Sequence, residues 1–297
     1  MRRLAKIAVL GLSLLALSSS FFSSTTSITF AAADVSGYPV IPSIRGVVYS
    51  HAWRLLYAGQ RQGNRPDVFS KVGDSMTATP YFLYAVGNGG LRLGGYGYLQ
   101  RTVNFFTKTS ARTNNSFAND SLAAHGQWST RDVLDPSHAT PGVCNGGETP
   151  LDCELRVSKP AIALILFGAN DVRGLSIDEF RANLERIVQI TEAHGVIPVL
   201  STTPNRLDAG TDSSQVNRFN LVIAQVAAEH SDPLWNFWRA LNGLPNVGLA
   251  SNDNIHPSIP DDHNTAIFDA SHLIYGANVR NLTALQVLDA LRTAVLQ

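Results

Sequence analysis

The sequence predicts an α/β protein: a parallel sheet whose strands alternate with helices packed on both faces. Three observations carry that prediction. Residues 161–167, Ala-Ile-Ala-Leu-Ile-Leu-Phe, are apolar without interruption, as a parallel strand covered on both faces must be. A helix signal follows, with the capping pattern Ser176-Ile177-Asp178-Glu179, then Phe180, Leu184, Ile187, Val188 and Thr191 on one face, closed by Gly195. Strand, helix and strand patterns then succeed one another, and such alternation builds a parallel sheet joined by right-handed crossovers.

The remaining elements fall in order around that centre. Met1-Arg2-Arg3-Leu4-Ala5-Lys6 is a basic start, residues 7–17 are apolar, and Ala31-Ala32-Ala33 offers small residues for cleavage before Asp34. The pattern is that of a secretory signal peptide, residues 1–33, with residues 34–297 as the exported domain. The apolar run is too short to span a bilayer, which takes about 20 residues, and no cysteine follows it to carry a lipid anchor. After a polar lead-in, Val48, Ala52, Leu55 and Leu56 recur at helical spacing, with Gly59 as the expected stop. Residues 67–72 read as the first strand and 121–124 as a short second one; 161–167, 196–200 and 234–237 complete a five-stranded sheet. Pro198 argues against a central place for the fourth, since proline cannot donate to a ladder, but the alternation requires a strand there. Val216, Phe219, Ile223, Val226 and His230 mark a helix, as do Leu282, Leu285, Leu288 and Leu291 in the tail.

Residues 79–107 stand apart, rich in glycine and in Tyr81, Phe82, Tyr84, Tyr96, Tyr98, Phe105 and Phe106. No Gly-x-Gly-x-x-Gly register fits there. Two readings remain open: a wall of flat aromatic faces for sugars or acyl chains, or a segment packed on itself by its own aromatics.

In open parallel sheets, ligands sit at the carboxyl ends of the strands. Gly73-Asp74-Ser75, Gly126 and Gly168-Ala169-Asn170-Asp171 fall at such ends, and Asp253-Asn254-Ile255-His256 follows the last strand. Together they supply a serine nucleophile, a glycine N–H, an amide donor, and a histidine base with a carboxylate partner, the parts that acyl transfer requires. Each part has a plainer reading: Asn170 as a turn residue, Gly126 as a tight turn. Asp-x-x-His recurs at Asp135–His138 and Asp269–His272, so His272 rivals His256 as the base. His256 lies nearer the last strand and is held extended by Pro257, whereas His272 sits in a segment apolar enough to pack against the sheet.

At these blocks the chain resembles the GDSL or SGNH hydrolases. Gly73-Asp74-Ser75 matches the first block, with Met76 where the family has leucine; Gly168-Ala169-Asn170-Asp171 matches Gly-x-Asn-Asp, and Asp253-Asn254-Ile255-His256-Pro257 matches Asp-x-x-His. The resemblance implies a three-layer flavodoxin-like fold and ester hydrolysis without a cofactor. By the same resemblance, Ser75 attacks, His256 is the base, Asp253 orients it, and Ser75, Gly126 and Asn170 form the oxyanion hole. The serine is expected at the start of a helix, where free N–H groups face the developing charge.

Composition limits the alternatives. With 23 basic and 23 acidic residues the formal charge is zero, and no basic stripe points to nucleic acid. No Gly-x-Ser-x-Gly elbow and no His-Glu-x-x-His helix is present, which argues against the larger α/β-hydrolases and the zinc peptidases. Cys144 and Cys153 are the two cysteines; in an oxidising compartment a disulfide closing their short loop stabilises by roughly 2–3 kcal/mol. Free thiols or half a metal site are the rival readings, the latter weak without histidine at ligand spacing. No metal is expected. The expected function is a secreted serine esterase acting on a small-molecule or polysaccharide ester, with no stable membrane insertion. Carbohydrate esters are slightly favoured by the aromatic insertion. A lipase or phospholipase, or a carbohydrate-binding domain without activity on the same fold, are the alternatives.

Overall fold

The computed structural model describes residues 34–296; the segment read as a signal peptide lies outside the described residues. Helix α1 (Gly46–Arg61) precedes strand β1 (Arg65–Gly73). A long excursion carries α2 (Gln100–Phe106) and α3 (Pro150–Ser158) and returns as β2 (Pro160–Leu166). Helix α4 (Ile177–Ala193), β3 (Ile197–Ser201), α5 (Ser213–His230), β4 (Leu234–Trp235) and α6 (Gly276–Leu291) follow. The strands are parallel and lie in the order β1-β2-β3-β4.

Alternation along β2 divides the core into two. Ile162, Leu164 and Leu166 face a cluster with Leu55 and Leu56 of α1, Phe106 of α2, and Leu282, Leu285 and Leu288 of α6. Ala163, Ile165 and Phe167 face the other, with Leu155 of α3, Leu184 and Ile187 of α4, and Phe219 and Ile223 of α5. The sheet is thus the middle of three layers, and β2 is buried throughout, as its sequence requires.

The structure departs from the sequence expectations at three places in the framework, and at Pro198 it explains why the expected strand tolerates a proline. The expected strand at 121–124 is reduced to one parallel bridge, Gly73 with Ala124. Farther back, the outer edge of β1 is satisfied by a side chain: the Phe69 N–H donates to Ser116 Oγ at 3.0 Å, leaving no ladder for a fifth strand. Gly59 does not stop α1. It lies inside the helix, where a Cβ would fall 2.1 Å from the Gly195 carbonyl oxygen, so glycine is what lets α1 approach the end of α4. Pro198 does lie within β3. Leu200 and Thr202 donate toward β4, to Pro233 and Trp235, so an N–H at 198 would point the same way; β4 begins opposite Leu200 and leaves nothing for it to pair with. Finally, Ser176 caps α4 by accepting from the Glu179 N–H at 3.2 Å, but the Glu179 carboxylate turns outward to Arg131 rather than back to the cap.

The 79–107 segment divides into two parts. Tyr96 meets Phe268 edge to face, and Phe105 and Phe106 pack on each other, so most of its aromatics are structural. Leu99, Val103 and Phe106 belong to the same core as α6, and Thr102 donates to Asp289 at 2.5 Å, so the segment covers the outer side of that helix. Its beginning, Thr79, Tyr81 and Phe82, instead lines the pocket beside Ser75. Cys144 and Cys153 are joined as a disulfide, which ties the turn-rich loop to α3.

Candidate active site

Gly73 ends β1 under close constraint: a Cβ there would lie 2.3 Å from the Leu166 carbonyl oxygen and 2.5 Å from Thr77 Oγ1. The chain then wraps around Asp74. Its Oδ1 accepts the Met76 N–H at 2.9 Å, and its carbonyl accepts the N–H groups of Thr77 and Ala78, each at 2.9 Å. This is a single turn and no helix follows Ser75, contrary to expectation. Pro80 explains it, since proline lacks the N–H a continuing helix needs and biases Thr79 away from helical backbone.

The Asp253-Asn254-Ile255-His256 loop meets this turn from the other side. Ser75 Oγ lies 2.8 Å from His256 Nε2, and His256 Nδ1 lies 2.7 Å from Asp253 Oδ2. The other oxygen of Asp253, Oδ1, accepts the N–H groups of Ile255 at 2.8 Å and His256 at 3.0 Å, so one carboxylate holds both the ring and the backbone that carries it. Burial works to raise the Asp253 pKa, but these hydrogen bonds and the imidazole outweigh it and hold the carboxyl below its ordinary value. An ionised Asp253 can only accept, so the His256 proton sits on Nδ1 and Nε2 is left to accept from the serine hydroxyl. The loop is fastened where it starts and ends: Ala250 N–H donates to the His256 carbonyl at 2.8 Å, and the Ser258 hydroxyl receives the Gly276 N–H at 2.9 Å, joining it to α6.

Gly126 and Asn170 arrive at the same end of the sheet by register. Gly73 pairs with Ala124 on one side and Leu166 on the other, so Ser75 and Gly126 each stand two residues beyond a bridged pair, and the Gly168-Ala169-Asn170-Asp171 block follows the third member. Asn170 Nδ2 donates to the Trp128 carbonyl at 2.9 Å. Asp171, buried, takes the N–H and hydroxyl of Thr130 at 2.8 and 2.6 Å and the Gly168 N–H at 3.0 Å, which locks the block to the loop containing Gly126. Neither Gly126 nor Asn170 lines the pocket itself.

That pocket has a volume of about 310 Å³ and opens beside Ser75 and His256, walled by Thr79, Tyr81, Phe82, Ile259 and Arg280 among others. Arg280 was not singled out from the sequence. Its guanidinium lies 3.8 Å from the Phe82 ring centroid, and donates to the Met76 carbonyl and to Thr77 Oγ1. Burial pulls Arg280 down to about 9 and pushes Asp74 up to about 6, each opposed by the charge of the other. The signal was present: Arg280 is a charge in line with Ala284 and Leu291 on the buried side of the tail helix.

His272 is elsewhere. Its Nδ1 lies 2.9 Å from Asp269 and its Nε2 3.3 Å from Asp262, a satisfied histidine as expected, but in a turn where Ile274 is exposed rather than packed on the sheet.

A family model described as the GDSL-like lipase/acylhydrolase family matches residues 72–259, from the last turn of β1 to just past the His256 loop. The chain belongs to this family. No curated protein matches it. Among solved structures it is similar to the lipase/acylhydrolase from Enterococcus faecalis, at 20% identity over 74% of this chain and 93% of that one, with a TM-score of 0.45. It is also similar to a carbohydrate esterase family 3 protein from Talaromyces cellulolyticus, at 14% identity over 74% of this chain and 97% of that one, with a TM-score of 0.48. A third is the psychrotrophic esterase EstA from a Pseudoalteromonas species, at 16% identity, 76% and 97% coverage and a TM-score of 0.46. As a GDSL-like acylhydrolase, the protein is a carboxylic ester hydrolase. Arg280 and the whole of α6 lie beyond the segment that matches the family.

Proposed function

We propose that the protein is an exported serine esterase in which Ser75, His256 and Asp253 act as the catalytic triad. The observation that carries this reading is the unbroken relay from Ser75 Oγ to His256 at 2.8 Å and from His256 to Asp253 at 2.7 Å. Ser75 attacks the ester carbonyl while His256 Nε2 takes its proton; the imidazolium, steadied by Asp253, then protonates the leaving alcohol. Water repeats the cycle on the acyl-enzyme. The N–H groups of Ser75 and Gly126 and the Asn170 amide hold the oxyanion. Asn170 Nδ2 carries two hydrogens, of which Trp128 takes one, leaving the second for the substrate. A donor of this kind is worth about 3–4 kcal/mol in the transition state.

The substrate class we infer is a short acyl ester of a carbohydrate. A pocket of about 310 Å³ lies at the lower limit for small-molecule sites and suits an acetyl-sized acyl group better than an extended chain. Tyr81 lines it and supplies an aromatic face of the kind sugars stack on, while Phe82, buried beneath Arg280 and Trp235, forms part of the wall. Export is supported by the leader pattern and by the disulfide that closes on Cys144 and Cys153. The test is a panel of p-nitrophenyl acetate, acetylated xylan and phospholipid, run beside Ser75→Ala. Turnover of the acetyl esters that disappears in the variant is expected. Preferential phospholipid hydrolysis would replace carbohydrate by lipid as the substrate, and turnover surviving in Ser75→Ala would remove the triad.

A further inference from the structure

We propose that His51, Glu192 and Asp232, with His230 beside them, form a binding site for a divalent transition-metal ion of the zinc class. The four residues come from separate elements: His51 from α1, Glu192 from the last turn of α4, His230 from the end of α5, and Asp232 from the turn into β4. Glu192 and Asp232 precede β3 and β4, whereas Ser75 and Asn170 follow β1 and β2 of the same parallel sheet, so this cluster lies at the amino-terminal edge of the sheet, away from the pocket.

His51 Nε2 lies 3.0 Å from Glu192 Oε1 and 3.4 Å from Asp232 Oδ1, and His230 Nδ1 lies 3.2 Å from the same Glu192 oxygen. Ligand atoms bonded at about 2.0–2.1 Å to a tetrahedral ion stand about 3.3 Å from one another; the three distances above are close to this, and the His51, Glu192 and Asp232 ligand atoms all lie within 4.8 Å of one another. Hydrogen bonds produce similar distances, so the deciding feature is Asp232. Its side chain has no exposed surface, and among the described residues neither carboxylate oxygen accepts a well-formed hydrogen bond, the His51 ring at 3.4 Å from Oδ1 being the one basic group that faces it. A buried carboxylate left this way is costly unless a cation meets it.

A divalent ion supplies what is missing. One neutral imidazole and two carboxylates balance its charge, and His230 completes the set or orients Glu192 through the hydrogen bond it already makes. With Nδ1 accepting from Arg54 Nη2 at 3.2 Å, the neutral ring carries its proton on Nε2; metal binding takes the Nε2 lone pair, so that proton moves by way of solvent to Nδ1 with no net release, and Arg54 turns away. Imidazole donors favour zinc, cobalt or nickel over calcium or magnesium. The ion would clamp α1, α4, α5 and the start of β4 without touching the pocket.

The experiment uses purified protein dialysed against a chelator and titrated calorimetrically with ZnCl2, with CaCl2 as the control, followed by thermal melts. One zinc ion per chain is expected. At a hundredfold excess over the dissociation constant the melting temperature should rise by roughly 5 °C in a chain of this size. Asp232→Asn and His51→Gln should each abolish the binding and the shift while leaving ester turnover unchanged. Asp232→Asn also removes the unpaired buried charge and keeps the side-chain shape, so it should fold at least as stably as the metal-free protein. No stoichiometric zinc binding, equal binding of calcium, or zinc binding that survives both substitutions would overturn the site.

Discussion

The Arg280 guanidinium reaches across the fold to the carbonyl of Met76, the residue that follows the serine at the tip of β1. It is sandwiched against the ring of Phe82 at 3.8 Å and also donates to Thr77 Oγ1. The serine turn is therefore held from behind by a helix outside the family-matched segment, through a residue that no motif marks.

Replacing Arg280 by methionine should fill most of its volume but drop both hydrogen bonds. A charge-assisted bond of this sort is worth about 1.5–3 kcal/mol, so kcat on p-nitrophenyl acetate should fall roughly 10- to 100-fold. Arg280→Lys should recover part of it. Kinetics at saturating substrate decide; an unchanged kcat in Arg280→Met would show the turn to be self-supporting.

Asn170→Ala should lower kcat about 10²–10³-fold with little change in KM, because an oxyanion donor acts mainly in the transition state. The same substitution frees the Trp128 carbonyl, now bonded at 2.9 Å, so a small loss of thermal stability should accompany it. A loss confined to KM would make Asn170 a substrate-binding residue.

Asp74→Asn isolates a buried acid. Burial lifts Asp74 from its ordinary 3.8 to about 6, so the folded state prefers it protonated. The stability that this preference contributes is fully present below the unfolded value and is lost as pH rises through 6. Asparagine still accepts from the Met76 N–H but does not titrate. Denaturant melts should therefore show wild type losing stability relative to the variant between pH 4 and pH 7; parallel pH profiles would mean that Arg280 keeps Asp74 charged throughout.

His256→Ala should cost at least about 10³-fold in kcat, as removal of a general base does. His272→Ala should keep nearly full activity and lose only the ties to Asp262 and Asp269. Steady-state rates of the two purified variants separate them, and an active His256→Ala beside an inactive His272→Ala would exchange the bases.

Much of the framework was legible because it is local. Residues 161–167 announce β2 by unbroken apolarity, and Ser176 with Gly195 brackets α4. Ser75, Asp253 and His256 were legible as well, since they lie in short blocks, the first at the end of β1 and the others in the loop region after the last strand. What escaped depends on contacts between distant segments. Ser116 covers the edge of β1 and cuts the expected strand at 121–124 to one bridge. Gly59 reads as a stop until the Gly195 carbonyl is brought against it. Arg280 reads as one polar residue in a tail helix, and His51 has no visible connection to Asp232 until α1 is laid beside the turn into β4. The expected helix after Ser75 failed for a local reason, Pro80, that the sequence did display.

The central claim is that Ser75 is the nucleophile activated by His256. Peptide mass mapping after exposure to an organophosphonate that labels activated serines tests it most directly. The account predicts one stable adduct, on the peptide carrying Ser75, formed in wild type and absent in His256→Ala. An adduct on any other residue, or equal labelling of Ser75 without His256, would contradict it.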